Sequence, residues 1–216
     1  MSGAPDITVM LSTYNRSGIL RETLECFTRL DVRDLRVEFV VIDNNSGDDT
    51  RETAESFADR LPLRVLFCGT PGKNAALNLG LRQANLGAII VMTDDDVSPR
   101  QDWLLAIHAA SARWPDAAVF GGAVQVVWPD VNVPGWAKHE FIRSFGFAHH
   151  EYADRDTPYT NGQFPHGPNY WIRREVIEAG HCFDERIGPR PKNRILGDET
   201  VFLKQLNDAG YKLMYT

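Results

Sequence analysis

The sequence predicts an α/β fold in which helices cover both faces of a mostly parallel central sheet. Strand patterns and helix patterns alternate through the first half of the 216-residue chain. The strand segments are short and almost wholly apolar, which is typical of parallel strands that are buried on both faces. The segments between them carry apolar residues at spacings of three and four, which is the pattern of a helix with one buried face.

Four strand–helix units account for the first half of the chain. The predicted strands cover residues 7–12, 38–43, 63–67 and 88–93. The spacing of Leu20, Leu24 and Phe27 predicts the first helix. The following helices are predicted at residues 48–61, 72–84 and 99–114. Alternation of this kind favours βαβ units and hence a parallel sheet.

The second half of the chain is less regular. Residues 117–128 are apolar and rich in strand-forming residues, and 129–168 form a predicted loop rich in Pro, Gly, His and aromatic residues. Beyond this loop the sequence predicts a strand at 169–173, a helix at 174–179, a basic loop at 188–194, a helix at 198–209 and a strand at 211–215. Because the chain stops inside a predicted strand, we expect it to be C-terminally truncated.

Composition excludes several classes of protein. The chain has 23 basic and 29 acidic residues and a net charge of −6, which argues against nucleic acid as a partner. Its three cysteines are far apart and predict neither a disulfide framework nor a zinc site. There is no transmembrane segment and no signal peptide pattern. These features predict a cytoplasmic protein and leave peripheral attachment to the inner face of the membrane open.

Polar residues follow each of the four predicted strands of the first half. Ligands of an open parallel sheet bind beyond the carboxyl ends of its strands, so these residues are expected to meet in one crevice. The four segments are Thr13–Arg16, Asp43–Ser46, Gly69–Lys73 and Asp94–Asp96. The crevice is therefore the predicted ligand site.

Three successive aspartates, Asp94, Asp95 and Asp96, end the fourth strand. Adjacent carboxylates repel one another, and a divalent cation such as Mn²⁺ or Mg²⁺ removes that repulsion. A solvated acidic turn before the next helix is the alternative, and the position at a strand end favours metal. A metal held by few carboxylates usually bridges to substrate phosphates, of which a sugar diphosphate is one example. Asp43 is then placed to accept a hydrogen bond from a base or a ribose, or to form an Asx turn.

Motifs of several other enzyme classes are missing from the sequence. Residues 69–74 have the wrong glycine spacing for a P-loop. No GxGxxG segment follows the first strand, which argues against a dinucleotide-dependent oxidoreductase. No GxSxG segment is present, which argues against an α/β-hydrolase.

Six segments of the chain follow one another in an order that is familiar from one enzyme family. They are ITVMLSTYNRSGILRETLECF, VVIDNNSGDDT, PGKNAALNLGL, IIVMTDDDV, HGPNYWIRREVIEAGHCFDE and LGDETVFLKQLNDAGYKLMY. Together they resemble the family 2 glycosyltransferases, which have the nucleotide-diphospho-sugar transferase fold called GT-A. The resemblance covers residues 7–216. It implies one domain over 1–216, with a nucleotide-sugar-binding half at 1–115 and an acceptor-binding, catalytic half with a smaller mixed-β region at 116–216.

The resemblance implies a metal-dependent, inverting transfer of a sugar from a nucleoside-diphosphate-sugar to an acceptor hydroxyl of a glycan, a lipid or another molecule. The family usually has Gly-Glu-Asp before its last helix, whereas this chain has Gly197-Asp198-Glu199. By position Glu199 replaces the catalytic aspartate, so we assign the base to Glu199, with Asp198 as the second candidate. Asp96 is the expected metal ligand, together with Asp94.

The remaining site residues follow from the same resemblance. The expected nucleotide contacts are Ser12, Tyr14, Arg16, Asp43, Lys73, Asn78, Asp94 and Asp95. Lys73 offers a positive charge near the diphosphate, and Asn78 is suited to orient nearby loops. Asn169 and Trp171 are expected on the acceptor side. The aromatic residues of 129–168 either stack on sugar rings or form a small satellite core, and His149 and His150 are expected at the surface.

Two other functions stay open at this point. A sugar nucleotidyltransferase also uses metal and nucleotide, but it needs a glycine-rich phosphate loop after the first strand, which STYNRSG does not supply. A non-catalytic nucleotide- or sugar-binding module is the other alternative, and the exchanged order of Asp198 and Glu199 favours it.

Overall fold

A computed structural model of the chain describes residues 3–160, 162–190, 193–194 and 197–216. In order, its strands are β1 (Ile7–Thr13), β2 (Val37–Asp43), β3 (Leu63–Phe67), β4 (Ile89–Met92), β5 (Val119–Gly121), β6 (Thr157–Pro158), β7 (Tyr170–Arg173), β8 (Pro189–Arg190), β9 (Asn193–Arg194) and β10 (Leu213–Tyr215). Its α-helices are α1 (Ser17–Phe27), α2 (Thr50–Glu55), α3 (Lys73–Leu81), α4 (Trp103–Arg113), α5 (Glu140–Phe147), α6 (Arg174–Glu178) and α7 (Asp198–Asp208).

Eight of these strands form one mixed sheet in the order β3-β2-β1-β4-β7-β5-β10-β6. Strands β3, β2, β1 and β4 are parallel neighbours. Strand β7 is antiparallel to β4 and β5, and β10 pairs in parallel with β5. This confirms the predicted α/β fold, with its mostly parallel sheet and a mixed region in the second half. The parallel half brings the carboxyl ends of four strands to one edge.

The core lies on both faces of this sheet, as the apolar strand segments predict. Alternate residues of β1 point to opposite faces, so Met10 packs with the side chains of α3 and α7. Its neighbours Val9 and Leu11 pack with α1 and α4 on the other face. Burial of such side chains contributes roughly 1.5–3 kcal/mol each. Packing on the Met10 face fixes where α3 and α7 begin relative to the end of β4.

Several element boundaries differ from the sequence-based prediction. Helix α2 ends at Glu55, although Phe57 and Leu61 beyond it are still buried. Apolar side chains in a turn therefore reach the core without helical backbone. Helix α5 and a short 3₁₀ helix (Gly135–Lys138) lie inside the predicted loop 129–168. In the predicted basic loop, β8 pairs with β9, and residues 191 and 192 lie outside the described residues. None of the helices in the described parts of the chain is both long enough and apolar enough to span a membrane.

Candidate active site

The three aspartates after β4 have three different environments. Asp95 is 5% exposed and accepts hydrogen bonds from the Thr13 hydroxyl at 2.7 Å and the Arg16 guanidinium at 2.6 Å. Its backbone carbonyl accepts a further bond from the Thr23 hydroxyl at 2.8 Å. Burial raises the pKa of Asp95 against the lowering effect of its two hydrogen-bond donors. Asp95 therefore ties the end of β4 to β1 and α1, and its expected contact with nucleotide stays a prediction.

Arg16 pairs with the acidic triplet. The same terminal nitrogen that contacts Asp95 lies 3.1 Å from a carboxylate oxygen of Asp96. The Asp96 side chain is 49% exposed, so it faces the open edge of the sheet. If Arg16 contacts a phosphate, as predicted, its guanidinium has to bind that phosphate as well as the carboxylates of Asp95 and Asp96.

Lys73 joins the acidic triplet to the start of α7. Its Nζ lies 2.8 Å from Oδ1 of Asp94 and 2.8 Å from Oε1 of Glu199. The three side chains are 20%, 27% and 21% exposed, respectively. The carboxylates at 94 and 199 thus lie in one site at the carboxyl edge of the sheet, bridged by a single ammonium group. Sequence reasoning placed Lys73 beside the diphosphate and missed this double ion pair.

The ionisable groups around Lys73 influence one another strongly. Burial by itself would raise the pKa of Glu199, but the Lys73 charge and the bonds from Asp198 and Lys73 hold it below the ordinary glutamate value. Burial and the neighbouring Glu199 charge raise the pKa of Asp198. Burial tends to lower the pKa of Lys73, and the charges of Asp94 and Glu199 outweigh it. Glu199 is therefore the ionised member of the pair, and Asp198 holds its proton more tightly.

Three buried polar atoms lie close to this cluster without a partner in the described parts of the chain. They are Asp198 Oδ2, Asn74 Oδ1 and the Tyr170 hydroxyl. Asp198 is only 4% exposed, so of the two candidate bases Glu199 is the one that faces the open site. An unpaired buried oxygen favours the protonated form of Asp198, because the charged form loses its hydration.

The raised pKa of Asp198 predicts a pH-dependent contribution to stability. A raised value means that the folded chain binds this proton more tightly than the unfolded chain. The proton therefore stabilises the fold below the ordinary aspartate pKa, and this contribution is lost as the pH rises through the raised value. An Asp198→Asn variant keeps an uncharged group there, so its melting temperature should fall less than that of wild type between about pH 4 and about pH 8. Parallel melting curves of the two proteins would contradict this.

Two asparagines of α3 fasten the segment that leads towards α7. The Asn78 side chain accepts a hydrogen bond from the Phe183 N–H at 3.0 Å and donates to the Phe183 carbonyl and the Glu185 carboxylate. Asn74 donates to two carbonyls within residues 184–187. Asn78 is 3% exposed. Asn78 therefore orients a loop, as the sequence suggests, and its expected contact with nucleotide stays a prediction.

Gly167 packs directly against the candidate base. A Cβ atom built on Gly167 would lie 2.5 Å from Oε1 of Glu199 and 3.1 Å from its carboxyl carbon. Real Cβ atoms essentially never come so close to another heavy atom. The glycine of the Gly-Pro-Asn segment thus leaves room for the Glu199 carboxylate, a contact that the sequence pattern alone does not reveal.

The other predicted nucleotide contacts lie along the same edge. Tyr14 is 41% exposed just beyond β1, and Ser12 is half-buried near the end of that strand. Asp43 is 2% exposed, and its carboxylate accepts a hydrogen bond from the Ser46 N–H at 3.0 Å. This bond reaches one residue further than the predicted Asx turn does, and it fixes the same loop. A base or ribose donor would have to approach the small remaining opening at Asp43.

The two predicted acceptor residues are used inside the protein. Trp171 is 3% exposed, stacks on Phe120 and donates its indole N–H to the Ser111 hydroxyl, so its assignment to the acceptor side is corrected. Period-two alternation in β7 turns this residue towards the face that α4 covers. Asn169 accepts a bond from the Trp103 indole and donates to the carbonyl of residue 123. These two bonds hold the strand end together. The amide keeps a second lone pair and a second N–H, so its expected contact with the acceptor stays a prediction.

The aromatic residues of 129–168 divide into two groups. Tyr152 and Tyr159 stack with His150 and pack against the main core, as a satellite core would. His150 is 7% exposed, so its expected place at the surface is wrong. The second group is exposed and consists of Trp136, Phe141, Phe145 and Phe147. These four side chains are the ones available to an external ligand.

The acidic residues at this edge are suited to supply some of the ligands of a divalent cation, while the other ligands come from bound substrate and water. Asp94 and Asp96 offer partly exposed carboxylate oxygens, which are the ligands such ions prefer. Among the described residues there is no group of three or more His, Cys, Asp or Glu side chains that could enclose an ion. Donor phosphates and water would therefore have to complete its coordination.

A comparison with known families agrees with this architecture. The sequence profile described as glycosyl transferase family 2 matches residues 8–180, which is well over half of the chain. The chain belongs to glycosyl transferase family 2. The match includes β2 to β7, nearly all of β1, α3 and the aspartates at 94–96, and it ends before Glu199.

Curated relatives of this family 2 chain are similar over its whole length. Glycosyltransferase AglE of Haloferax volcanii is 27% identical over 99% of this chain. The probable glycosyltransferase YdaM of Bacillus subtilis is 27% identical over 100% of it. The chain covers 65% of the first relative and 50% of the second, so it spans about half to two thirds of their length.

Solved structures show the same fold. TarS 1-349 of S. aureus superposes with a TM-score of 0.74 at 18% identity, over 98% of this chain and 58% of that one. The mannosyltransferase PcManGT from Pyrobaculum calidifontis, in complex with GDP-Man and Mn²⁺, superposes with a TM-score of 0.67 at 21% identity, over 100% of this chain and 57% of that one. At these identities the likeness concerns the fold, and it confirms the predicted GT-A architecture.

Proposed function

We propose that this family 2 chain catalyses the metal-dependent, inverting transfer of a sugar from a nucleoside-diphosphate-sugar to an acceptor hydroxyl. The observation that carries the proposal is the position of Lys73 Nζ, 2.8 Å from both Asp94 and Glu199. It puts a candidate base and an acidic ion-binding segment in one site, where open α/β sheets bind ligands.

Glu199 is the group in this site that is suited to take a proton. Its carboxylate is ionised and partly exposed, whereas Asp198 is buried behind it. A base that accepts the proton of the attacking hydroxyl contributes about 10²–10⁴ in rate. Among the described residues at the start of α7, Glu199 is the one accessible carboxylate, which suits a single displacement that inverts the anomeric carbon.

The leaving diphosphate requires positive charge on the opposite side of the reacting centre. Lys73 and Arg16 supply positive charges beside the aspartates. Asp96 and Asp94 would hold the divalent cation, which when bound acts as a Lewis acid on the leaving group. Ser12, Tyr14 and Asp43 lie along the edge where the nucleoside would extend.

The relatives support a nucleotide sugar as donor and a carbohydrate or lipid-linked acceptor. TarS has been crystallised with UDP-GlcNAc, and PcManGT with GDP-Man and Mn²⁺. A relative from Campylobacter jejuni, 32% identical over 43% of this chain, is named as a glucosyltransferase acting on an undecaprenol-linked glycan. A relative from Pyrococcus furiosus is named dolichol-phosphate mannosyltransferase.

The proposal is tested by a thermal-shift screen of nucleoside diphosphates and nucleotide sugars, with and without Mn²⁺, followed by an assay for nucleoside diphosphate release. A ligand that binds only the folded state raises the melting temperature by mass action. Release that depends on a nucleotide sugar supports transferase activity. Pyrophosphate release from a nucleoside triphosphate would indicate a nucleotidyltransferase. Binding without turnover of any nucleotide sugar would favour the non-catalytic module.

Asp96 is expected to carry the metal-dependent part of nucleotide binding. In an Asp96→Ala variant the extra stabilisation that Mn²⁺ gives to the UDP or GDP complex should be largely lost, because one of two partly exposed carboxylate ligands is removed. Asp102→Ala is a matched control, since Asp102 is also an exposed aspartate paired with an arginine. Equal Mn²⁺ effects in wild type and Asp96→Ala would exclude Asp96 as a ligand.

A further inference from the structure

Lys73 has two carboxylate partners that the proposed reaction uses for different purposes. Asp94 belongs to the segment assigned to the donor, and Glu199 is the proposed base. No other cation of the described residues lies within ion-pair distance of Glu199. One ammonium group therefore neutralises both the donor side and the acceptor side of the site.

The helix that carries Lys73 is fixed, but its side chain is a flexible stem. Asn74 and Asn78 anchor the helix to residues 183–187 through five hydrogen bonds. A lysine side chain places a compact charge at the end of four methylene groups. The Lys73 ammonium is 2.8 Å from each partner, and a small rotation of the stem changes how closely it approaches either one.

Glu199 is a weak base while it is paired with Lys73. The ion pair stabilises the carboxylate and so opposes the acceptance of a proton. Oε1 of Glu199 contacts the ammonium at 2.8 Å and lies beside Gly167. The Lys73 charge acts on the whole carboxylate, so it also lowers the basicity of the second oxygen.

We infer that Lys73 is a positioning residue whose ammonium group moves between Glu199 and the donor. The diphosphate draws this group away from Glu199, and Glu199 becomes available as a base only when the donor is bound. The inference rests on the proposed function. It predicts competition, because the Glu199 carboxylate and the diphosphate attract the same point charge. It also predicts that donor binding precedes activation of the acceptor hydroxyl.

This competition can be measured by comparing how substitutions at positions 73 and 199, alone and together, change the affinity for a nucleoside diphosphate. Binding of UDP and of GDP to the full chain would be followed by calorimetry, with Mn²⁺ and with EDTA. The proteins would be wild type, Glu199→Gln, Lys73→Met and the double variant. Removing the Glu199 charge frees Lys73 for the diphosphate, so Glu199→Gln should bind about fivefold more tightly than wild type or better. In the Lys73→Met background the same substitution should have little effect.

Asp198→Asn is the control for a substitution in the same turn of α7, because the Asp198 carboxyl group holds its proton more tightly and has no direct ion pair with Lys73. A simple loss of repulsion between Glu199 and the diphosphate would tighten binding in both backgrounds, and would overturn the inference. Unchanged or weaker binding by Glu199→Gln would overturn it as well. A purely structural lysine would change the melting temperature without producing this coupling. Where Lys73→Met does not fold, Lys73→Gln takes its place.

The proposed function and the inference fail in different ways. If wild type binds neither UDP nor GDP nor any other nucleoside diphosphate, the proposed function fails and the inference fails with it. If wild type binds one of them and transfers a sugar, but Glu199→Gln does not tighten binding, only the exchange of Lys73 is excluded.

Discussion

Replacing Glu199 by glutamine is expected to lower sugar transfer by about 10²–10⁴-fold, which is the usual contribution of a general base. The substitution keeps the size of the side chain and removes its ability to accept the hydroxyl proton. The nucleoside diphosphate should bind at least as tightly as in wild type, because the acids at 94–96 are unchanged and Lys73 is freed for the diphosphate. The measurement is initial-rate release of nucleoside diphosphate at saturating donor.

Asp198→Asn distinguishes the two candidate bases. Asp198 is 4% exposed and Glu199 faces the open site, so the asparagine variant should keep much more activity than Glu199→Gln. A Glu199→Gln enzyme with normal turnover, together with an inactive Asp198→Asn enzyme, would show that the assignment is reversed. Melting curves of both variants verify that each is folded, since both positions lie in the first turn of α7.

The parallel half of the sheet was predictable because the apolar runs in its sequence coincide with strands that are buried in the folded chain. The apolar runs of β1, β2 and β4 are buried on both faces, and each is bounded by turn-forming or charged residues. The sequence could not define α5 in the same way. None of its eight residues is buried. The spacing of its apolar residues therefore does not correspond to a helix face that is buried in the core.

The site residues were predictable as a set, whereas their partners were not. Strand ends place Asp43 and residues 94–96 at one edge, and this follows from topology. The bond between Lys73 and Glu199 joins positions 126 residues apart, and no local pattern specifies such a pair. Trp171 was misassigned because a motif gives the order of residues along a strand, and the packing of α4 decides which face of β7 is buried.

Gly167→Ala is expected to lower transfer by about 10²-fold without a comparable loss of stability. The added Cβ atom would lie 2.5 Å from Oε1 of Glu199, so the carboxylate must move by an appreciable fraction of an ångström. Displacements near 1 Å in a reacting group cost about 10²-fold in rate. Gly167 is not among the glycines with positive φ, so alanine is not forced into the left-handed region there.

The contact at Gly167 can be separated from a general effect of substituting glycine. Gly135→Ala is the matched control, because a Cβ atom there meets nothing within 4 Å and its backbone is also free of positive φ. Its transfer rate should equal that of wild type. Because the clash involves the tip of a side chain, Gly167→Ala should melt near wild type and still bind nucleoside diphosphate. Full activity in Gly167→Ala would mean that the position of the Glu199 carboxylate beside Gly167 is not the one in which it acts as the base.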